Sequence, residues 1–115
     1  FTSMGRLKYL STLQFVDGVI GNSSSGLTEA PTFKVGTVNI GHRQKGRLKA
    51  KSIIDCKPTK ESVKNAIKSL YSEDFQKILT TAENPYGVGD AIEKIMDILK
   101  NHVIPKTLKK EFYDL

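Results

Sequence analysis

The sequence predicts an α/β domain built on a small parallel sheet. One observation is a set of short strands separated by helices in very little sequence: a strand end at Phe1-Thr2-Ser3, an apolar run at residues 16–20 and another at 37–40. The second is that Gly21 and Gly41 stand directly after two of these strands, at the carboxyl edge where α/β sheets hold their ligands. From Lys57 onward the character changes to amphipathic helices.

Phe1-Thr2-Ser3 has nothing before it to pair with and looks like a strand cut open, so a fragment or an isolated domain is expected. Leu7, Leu10 and Leu13 recur every three residues through 6–15, with Tyr9 close by, which is one face of a helix. Asp17-Gly18 ends it, and Val19-Ile20 forms a buried strand. After Glu29-Ala30 the next helix must be short, because Pro31 is tolerated only in a first turn or at an end. Phe33 and Val35 lead through Gly36 into the strand at 37–40, and a further apolar strand, 52–56, ends at Cys56.

Pro58-Thr59 caps a helix carrying Val63, Ala66, Ile67 and Leu70. Ser72 caps another with Phe75, Ile78 and Leu79. Asn84-Pro85-Tyr86-Gly87-Val88-Gly89 is a loop by its proline and glycine, and Asp90 is placed to cap a helix at 91–103. That helix carries Ile92, Ile95, Met96, Ile98, Leu99 and Val103, a stripe wide enough to touch a second surface as well as the sheet. Pro105 breaks it, and Leu108, Phe112 and Leu115 make a last short amphipathic piece.

With 115 residues the chain is one domain at most. Its net charge of +6 raises the question of nucleic acid. There is no acid between Phe33 and Ile54, where Arg43, Lys45, Arg47, Lys49 and Lys51 alternate with uncharged residues. No aromatic residue interleaves with them to stack a base, and no helix-turn-helix or RNA-binding signature is visible, so a basic loop that attracts a diphosphate is favoured. Cys56 is the single cysteine, which excludes an intrachain disulfide and fits a reducing cytoplasm. It is expected to be a small buried hydrophobe rather than a nucleophile. No apolar run approaches membrane-spanning length and no leader pattern is present, so neither a membrane nor nucleic acid is expected as a partner.

The stretch most open to chemistry is Gly21-Asn22-Ser23-Ser24-Ser25-Gly26, between a strand and a helix start. Glycine admits backbone close to a ligand, serine hydroxyls add donors, and the first amides of a helix lack internal partners. Ser23, Ser24, Ser25 and Gly26 are therefore candidates for an anion cradle, the alternative being a plain polar turn. Gly21 and Gly26 have the spacing of a P-loop, but Leu27 occupies the place of its lysine. A nucleophile elbow would need glycine at Ser25. Asn22-Ser23-Ser24 also matches a glycosylation sequon, relevant only to a secreted chain.

Of the groups that could move protons, Asp17, Glu29, His42 and Asp55 fall near the ligand edge. Asp17 is more simply a helix terminator, Asp55 a polar strand end and His42 a solvated loop residue, so no catalytic residue is assigned. Glu29, expected just inside the helix, would repel a phosphate unless it served another group, and a ribose offers two adjacent hydroxyls to one carboxylate. Stabilisation of the helix dipole is the simpler role for the same acid. Arg43, in the loop after the strand at 37–40, can fork onto two phosphate oxygens.

The longer string Gly-Asn-Ser-Ser-Ser-Gly-x-x-Glu-Ala-Pro, followed by Thr37-Val38-Asn39-Ile40-Gly41 and Arg43-Gln44-Lys45-Gly46-Arg47, resembles the C-terminal half of the hydrolysing UDP-N-acetylglucosamine 2-epimerases of sialic and legionaminic acid synthesis. Non-hydrolysing relatives carry Asp-Ser-Gly-Gly and Thr-Glu-Arg-Pro strings that are absent here. The resemblance extends through Asn84-Pro85-Tyr86-Gly87, although Val88 stands where many members have aspartate.

The resemblance implies a Rossmann-like three-layer domain, the C-terminal half of a glycosyltransferase-B type fold. Residues 1–115 would be one partial nucleotide-sugar-binding domain, with a UDP-binding part at 1–56 and a mostly helical part at 57–115. It implies UDP contacts from Ser23, Ser24, Ser25, Gly26, Glu29 and Arg43, with Arg47 a weaker candidate. By position in such folds, the turn at Ser3-Met4-Gly5 would read the uracil through its backbone, which adds Met4. Proton-transfer residues would lie largely upstream. No metal or cofactor is implied, and the expected partners are a UDP-sugar, a missing N-terminal domain and further copies in a homo-oligomer. Two other readings compete, the donor domain of a glycosyltransferase-B enzyme and a non-enzymatic basic binding module.

Overall fold

The computed structural model describes residues 4–87 and 89–103. The strand end expected at Phe1-Thr2-Ser3, the departure at Val88, the stop at Pro105 and the last piece with Leu108, Phe112 and Leu115 lie outside the described residues. Helix α1 (Arg6–Thr12) tightens into a 3-10 turn, Leu13–Phe15. The spacing makes the helix, but the core takes only one end of its stripe: Leu13 is buried, Leu10 half-buried and Leu7 80% exposed.

Strands β1 (Gly18–Gly21), β2 (Gly36–Ile40) and β3 (Ile53–Cys56) form a parallel sheet in the order β1-β2-β3. Gly21 lies opposite Asn39, and Ile40 opposite Cys56, so all three strands end at one edge. The central β2 is buried on both faces. Val38 joins Ala66, Leu70, Phe75 and Leu79 in the main core, with Ile40, Ile54 and Cys56 packed against it. Burying each large side chain there contributes about 1.5–3 kcal/mol. On the opposite face Thr37 meets α2 (Ser25–Thr28), which runs into a 3-10 turn, Ala30–Phe33, with Leu27, Ala30 and Pro31 buried. The result is the three-layer arrangement expected.

Between β2 and β3 the chain crosses over without a helix, through residues 41–52. A parallel crossover needs about a dozen residues and usually spends them on a helix. Here Gly41 N–H extends the ladder onto the Cys56 carbonyl at 2.8 Å, and turns take the place of a helix, Lys45 N–H bonding the His42 carbonyl at 2.9 Å and Arg47 N–H that of Gln44 at 3.3 Å.

The helical half is capped largely as expected. Thr59 Oγ1 accepts from Ser62 N–H at the start of α3 (Lys60–Leu70), and Ser72 Oγ from Phe75 N–H at the start of α4 (Glu73–Thr81). Asp90 departs from expectation. Its backbone, at φ −87° and ψ 4°, is not in the extended region that brings a cap oxygen to the next amides, and its carboxylate pairs with Lys94 at 2.6 Å instead. Helix α5 (Ala91–Asn101) buries none of its residues, Ile92 being 75% and Leu99 66% exposed. The expected packing of this stripe on the sheet and on a second surface is not found among the described residues. Periodicity states what a helix can bury, not where the burying surface lies.

Candidate functional site

The parallel register places two loops side by side at the carboxyl edge: the serine loop after β1 and the basic loop after β2. Gly41, at φ +78°, makes the turn out of β2, a conformation that residues with a Cβ rarely adopt. The two loops are joined directly. Gln44 Nε2 donates to the Asn22 carbonyl at 2.7 Å, with Gln44 itself only 3% exposed among exposed cations.

Within the serine loop, Ser23 is exposed and its Oγ accepts from Ser25 N–H at 3.3 Å. The Ser25 hydroxyl is shared with the Tyr9 hydroxyl, so it is already engaged by α1. Amides from Leu27 onward are used internally, Leu27 and Thr28 on the Ser24 carbonyl and Glu29 on that of Ser25, each at 2.9 Å. The helix that follows is a single turn, too short for a large dipole, so the loop's polarity comes chiefly from its hydroxyls. Gly26 is buried against Thr37. A Cβ there would lie 2.6 Å from the Thr37 methyl, so strand packing requires this glycine whatever it does for a ligand.

Glu29 is not in the first turn of a helix as expected. It stands between α2 and the 3-10 turn Ala30–Phe33, at φ −110°, closing the first and capping the second with no side-chain cap bond, so only a four-residue turn is left for its charge to stabilise. The residue is half-buried and, like Arg43, takes part in no ion pair among the described residues. Arg43 is exposed beside buried Gln44. Met4 is 39% exposed and precedes Gly5, whose carbonyl accepts from Tyr9 N–H at 3.1 Å. Tyr9 therefore links the Met4 turn to Ser25 through one helical turn.

Beyond the basic loop, Asn39 Nδ2 donates to Asp55 Oδ1 at 2.7 Å and Lys49 Nζ meets Oδ2 at 2.6 Å. Partial burial raises the Asp55 pKa, but these hydrogen bonds and the Lys49 charge outweigh it and hold the carboxyl below its ordinary value. Asp55 is thus a structural anion whose charge is already matched. A cleft of about 350 Å³ beside it is lined by His42, Lys45, Arg47 and Lys49. Burial, then the neighbouring Asp55, pushes the half-buried Cys56 thiol up, away from nucleophile behaviour. Asp17 accepts from the Tyr71 hydroxyl at 3.4 Å, and His42 is exposed.

Sequence reasoning missed three supports. Gln44 is one, since glutamine in a cationic loop is ordinarily solvated. Tyr9 carries no motif. Asn84 is the third: its Nδ2 donates to the Thr28 carbonyl at 2.9 Å and to Thr32 Oγ1 at 2.7 Å, while its Oδ1 accepts from Tyr86 N–H at 3.0 Å. Tyr86 hydroxyl then reaches the Leu48 carbonyl at 3.1 Å, and the Lys34 ammonium bonds the Ala82 carbonyl. The Asn84 loop therefore straps the end of α2 to the basic loop. No helix among the described residues is long and apolar enough to cross a membrane.

The family profile described as UDP-N-acetylglucosamine 2-epimerase matches residues 1–100. The chain is 39% identical over 108 residues to the polysialic acid biosynthesis protein P7 of Escherichia coli, covering 93% of this chain and 28% of that protein. It is 41% identical over 116 residues to the GDP/UDP-N,N'-diacetylbacillosamine 2-epimerase (hydrolyzing) of Campylobacter jejuni, covering 100% of this chain and 30% of the relative. With the UDP-N,N'-diacetylbacillosamine 2-epimerase (hydrolyzing) of Legionella pneumophila it shares 32% identity over 95 residues, 83% of this chain and 24% of the relative. The chain thus spans less than a third of the length of these relatives.

Proposed function

The chain belongs to the UDP-N-acetylglucosamine 2-epimerase family, and from that premise we propose that it is the UDP-binding part of a hydrolysing member. The observation that carries the reading is the junction of the serine loop and the Arg43 loop at one sheet edge, held by the Gln44 to Asn22 hydrogen bond. In the proposed complex, Ser23, Ser24, Ser25 and Gly26 cradle the diphosphate through hydroxyls and amides, Arg43 forks onto its oxygens, Glu29 accepts the ribose hydroxyls and the Met4 backbone reads the uracil.

The whole enzyme releases UDP from C1 by elimination to a 2-acetamidoglucal, and water adds to give N-acetylmannosamine or a diacetamido 6-deoxy analogue. Stabilising charge on the departing UDP is this chain's share of the work. A second domain supplies acid, base and most sugar contacts, in a cytoplasmic homo-oligomer. Residues 1–56 carry the nucleotide and 57–115 support them, the Asn84 strap, which reaches from the second part onto the first, being one such support. The chain alone is inactive under this reading.

Calorimetric titration of the full-length protein with UDP, GDP and uridine tests the proposal. UDP should bind, with affinity well above that of uridine. Binding that ignores the base and falls steeply with salt would replace this reading with a basic binding module. Incubation with UDP-N-acetylglucosamine, without acceptor, should yield free UDP and a 2-epimeric sugar; the need for an acceptor would turn the reading into a glycosyltransferase.

A further inference from the structure

Gln44 carries more than its place in the Arg-Gln-Lys-Gly-Arg string suggests. It is buried while His42, Arg43 and Lys45 around it are exposed. Its Nε2 crosses from the loop after β2 to the loop after β1, and its Oε1 is buried with no hydrogen-bond partner among the described residues. An unpaired buried carbonyl oxygen works against stability; an apolar side chain of the same shape would remove that cost and give up the bond to the carbonyl of Asn22, an exposed residue that water can reach, so the two changes largely offset. Stability alone therefore does not explain an amide here. What the amide does is fix the serine loop against the residue next to Arg43.

We infer that Gln44 is a positioning residue: it sets the spacing between the serine cradle and the Arg43 guanidinium to that of a diphosphate. The inference rests on the UDP reading of this edge. Misplacing a fixed charged contact by a fraction of its length costs binding at the diphosphate and nowhere else on the nucleotide. Glutamine also contrasts with glutamate, which has the same shape but would set an anion beside Arg43 and two oxygens against the Asn22 carbonyl.

The test compares wild type, Gln44→Met and Gln44→Glu in the full-length protein, measuring ligand-free unfolding midpoint and affinities for UDP and uridine. Gln44→Met should leave the midpoint close to that of wild type, the lost bond to Asn22 being offset by removal of the unpaired oxygen, weaken UDP about tenfold and leave uridine within twofold. Gln44→Glu should weaken UDP further with uridine again unchanged, and it serves if the methionine variant does not fold. UDP affinity within twofold of wild type in both variants, or equal loss of UDP and uridine with a lowered midpoint, overturns the inference. Wild-type protein that fails to bind UDP overturns the functional reading itself, and this inference with it.

Discussion

The Thr37 hydroxyl donates to the Gly26 carbonyl at 2.9 Å, while the methyl of the same side chain stands 2.6 Å from where a Cβ on residue 26 would lie. One β-branched side chain thus both ties the serine loop to the central strand and forbids any larger residue in it. Thr37 is 2% exposed and stiff about its first torsion, so the methyl has no room to turn away.

Gly26→Ala should therefore destabilise the fold by about 1–3 kcal/mol, the usual cost of overpacking. Thr37→Ser removes the methyl and keeps the hydroxyl. Urea unfolding of the double variant should recover part of the loss, with a coupling of at least about 0.5 kcal/mol. Strict additivity of the two changes would show that the contact does not set the loop.

Asn84 holds the end of α2 through two donated bonds and one accepted bond. Asn84→Ala leaves the Thr28 carbonyl without this donor and frees the strap, so a loss of about 1–2 kcal/mol is expected in chemical denaturation. Asn84→Asp should cost at least as much, because a carboxylate cannot donate to Thr28 or Thr32. A variant as stable as wild type would remove the strap from this account.

What was legible in the sequence follows the range of the interactions. Thr59 and Ser72 are legible as caps because a cap is settled within three residues, and the serine and basic loops fall at one edge because both follow parallel strands. The place of Glu29 is not legible: Pro31 bounds a helix but does not say on which side of its end Glu29 falls, and it falls between α2 and the 3-10 turn. Gln44 and Asn84 could not be read, since their partners, Asn22 and Thr28, lie 22 and 56 residues away and polarity alone suggests solvent. The stripe of α5 named a burial without naming a partner.

Asp55 supplies a pH-dependent term of known sign. Its folded pKa lies below the ordinary aspartate value, so the unfolded chain binds the proton more readily and the Asp55 contribution is present above about pH 4 and lost as pH falls below it. The side chain is 52% exposed and Lys49 29%, so solvent screens the pair and the contribution should be under about 1 kcal/mol. Asp55→Asn should flatten the acid limb of the stability curve between about pH 5 and 2 by that amount and leave its neutral limb parallel to wild type. An unchanged acid limb would show that Asn39 and Lys49 do not favour the carboxylate.

Arg43 and Glu29 should fail differently when altered in the full-length enzyme, because they are proposed to meet different parts of UDP. In the proposed reaction charge grows on the diphosphate as the bond to C1 breaks, so a fixed guanidinium there would stabilise the transition state more than the bound substrate. Arg43→Ala should lower turnover as well as UDP affinity, by about 1.5–3 kcal/mol, or about ten- to a hundredfold. Arg43→Lys should recover only part, since an ammonium restores the charge but cannot fork. Ribose hydroxyls would change little during the proposed reaction, so Glu29→Gln should raise KM more than it lowers kcat. The discriminating measurement is the split itself: if Arg43→Ala changes UDP affinity and kcat by less than about twofold, the loop after β2 does not face the diphosphate, and if Glu29→Gln lowers kcat with KM unchanged, the carboxylate acts on the reacting sugar and not on the ribose.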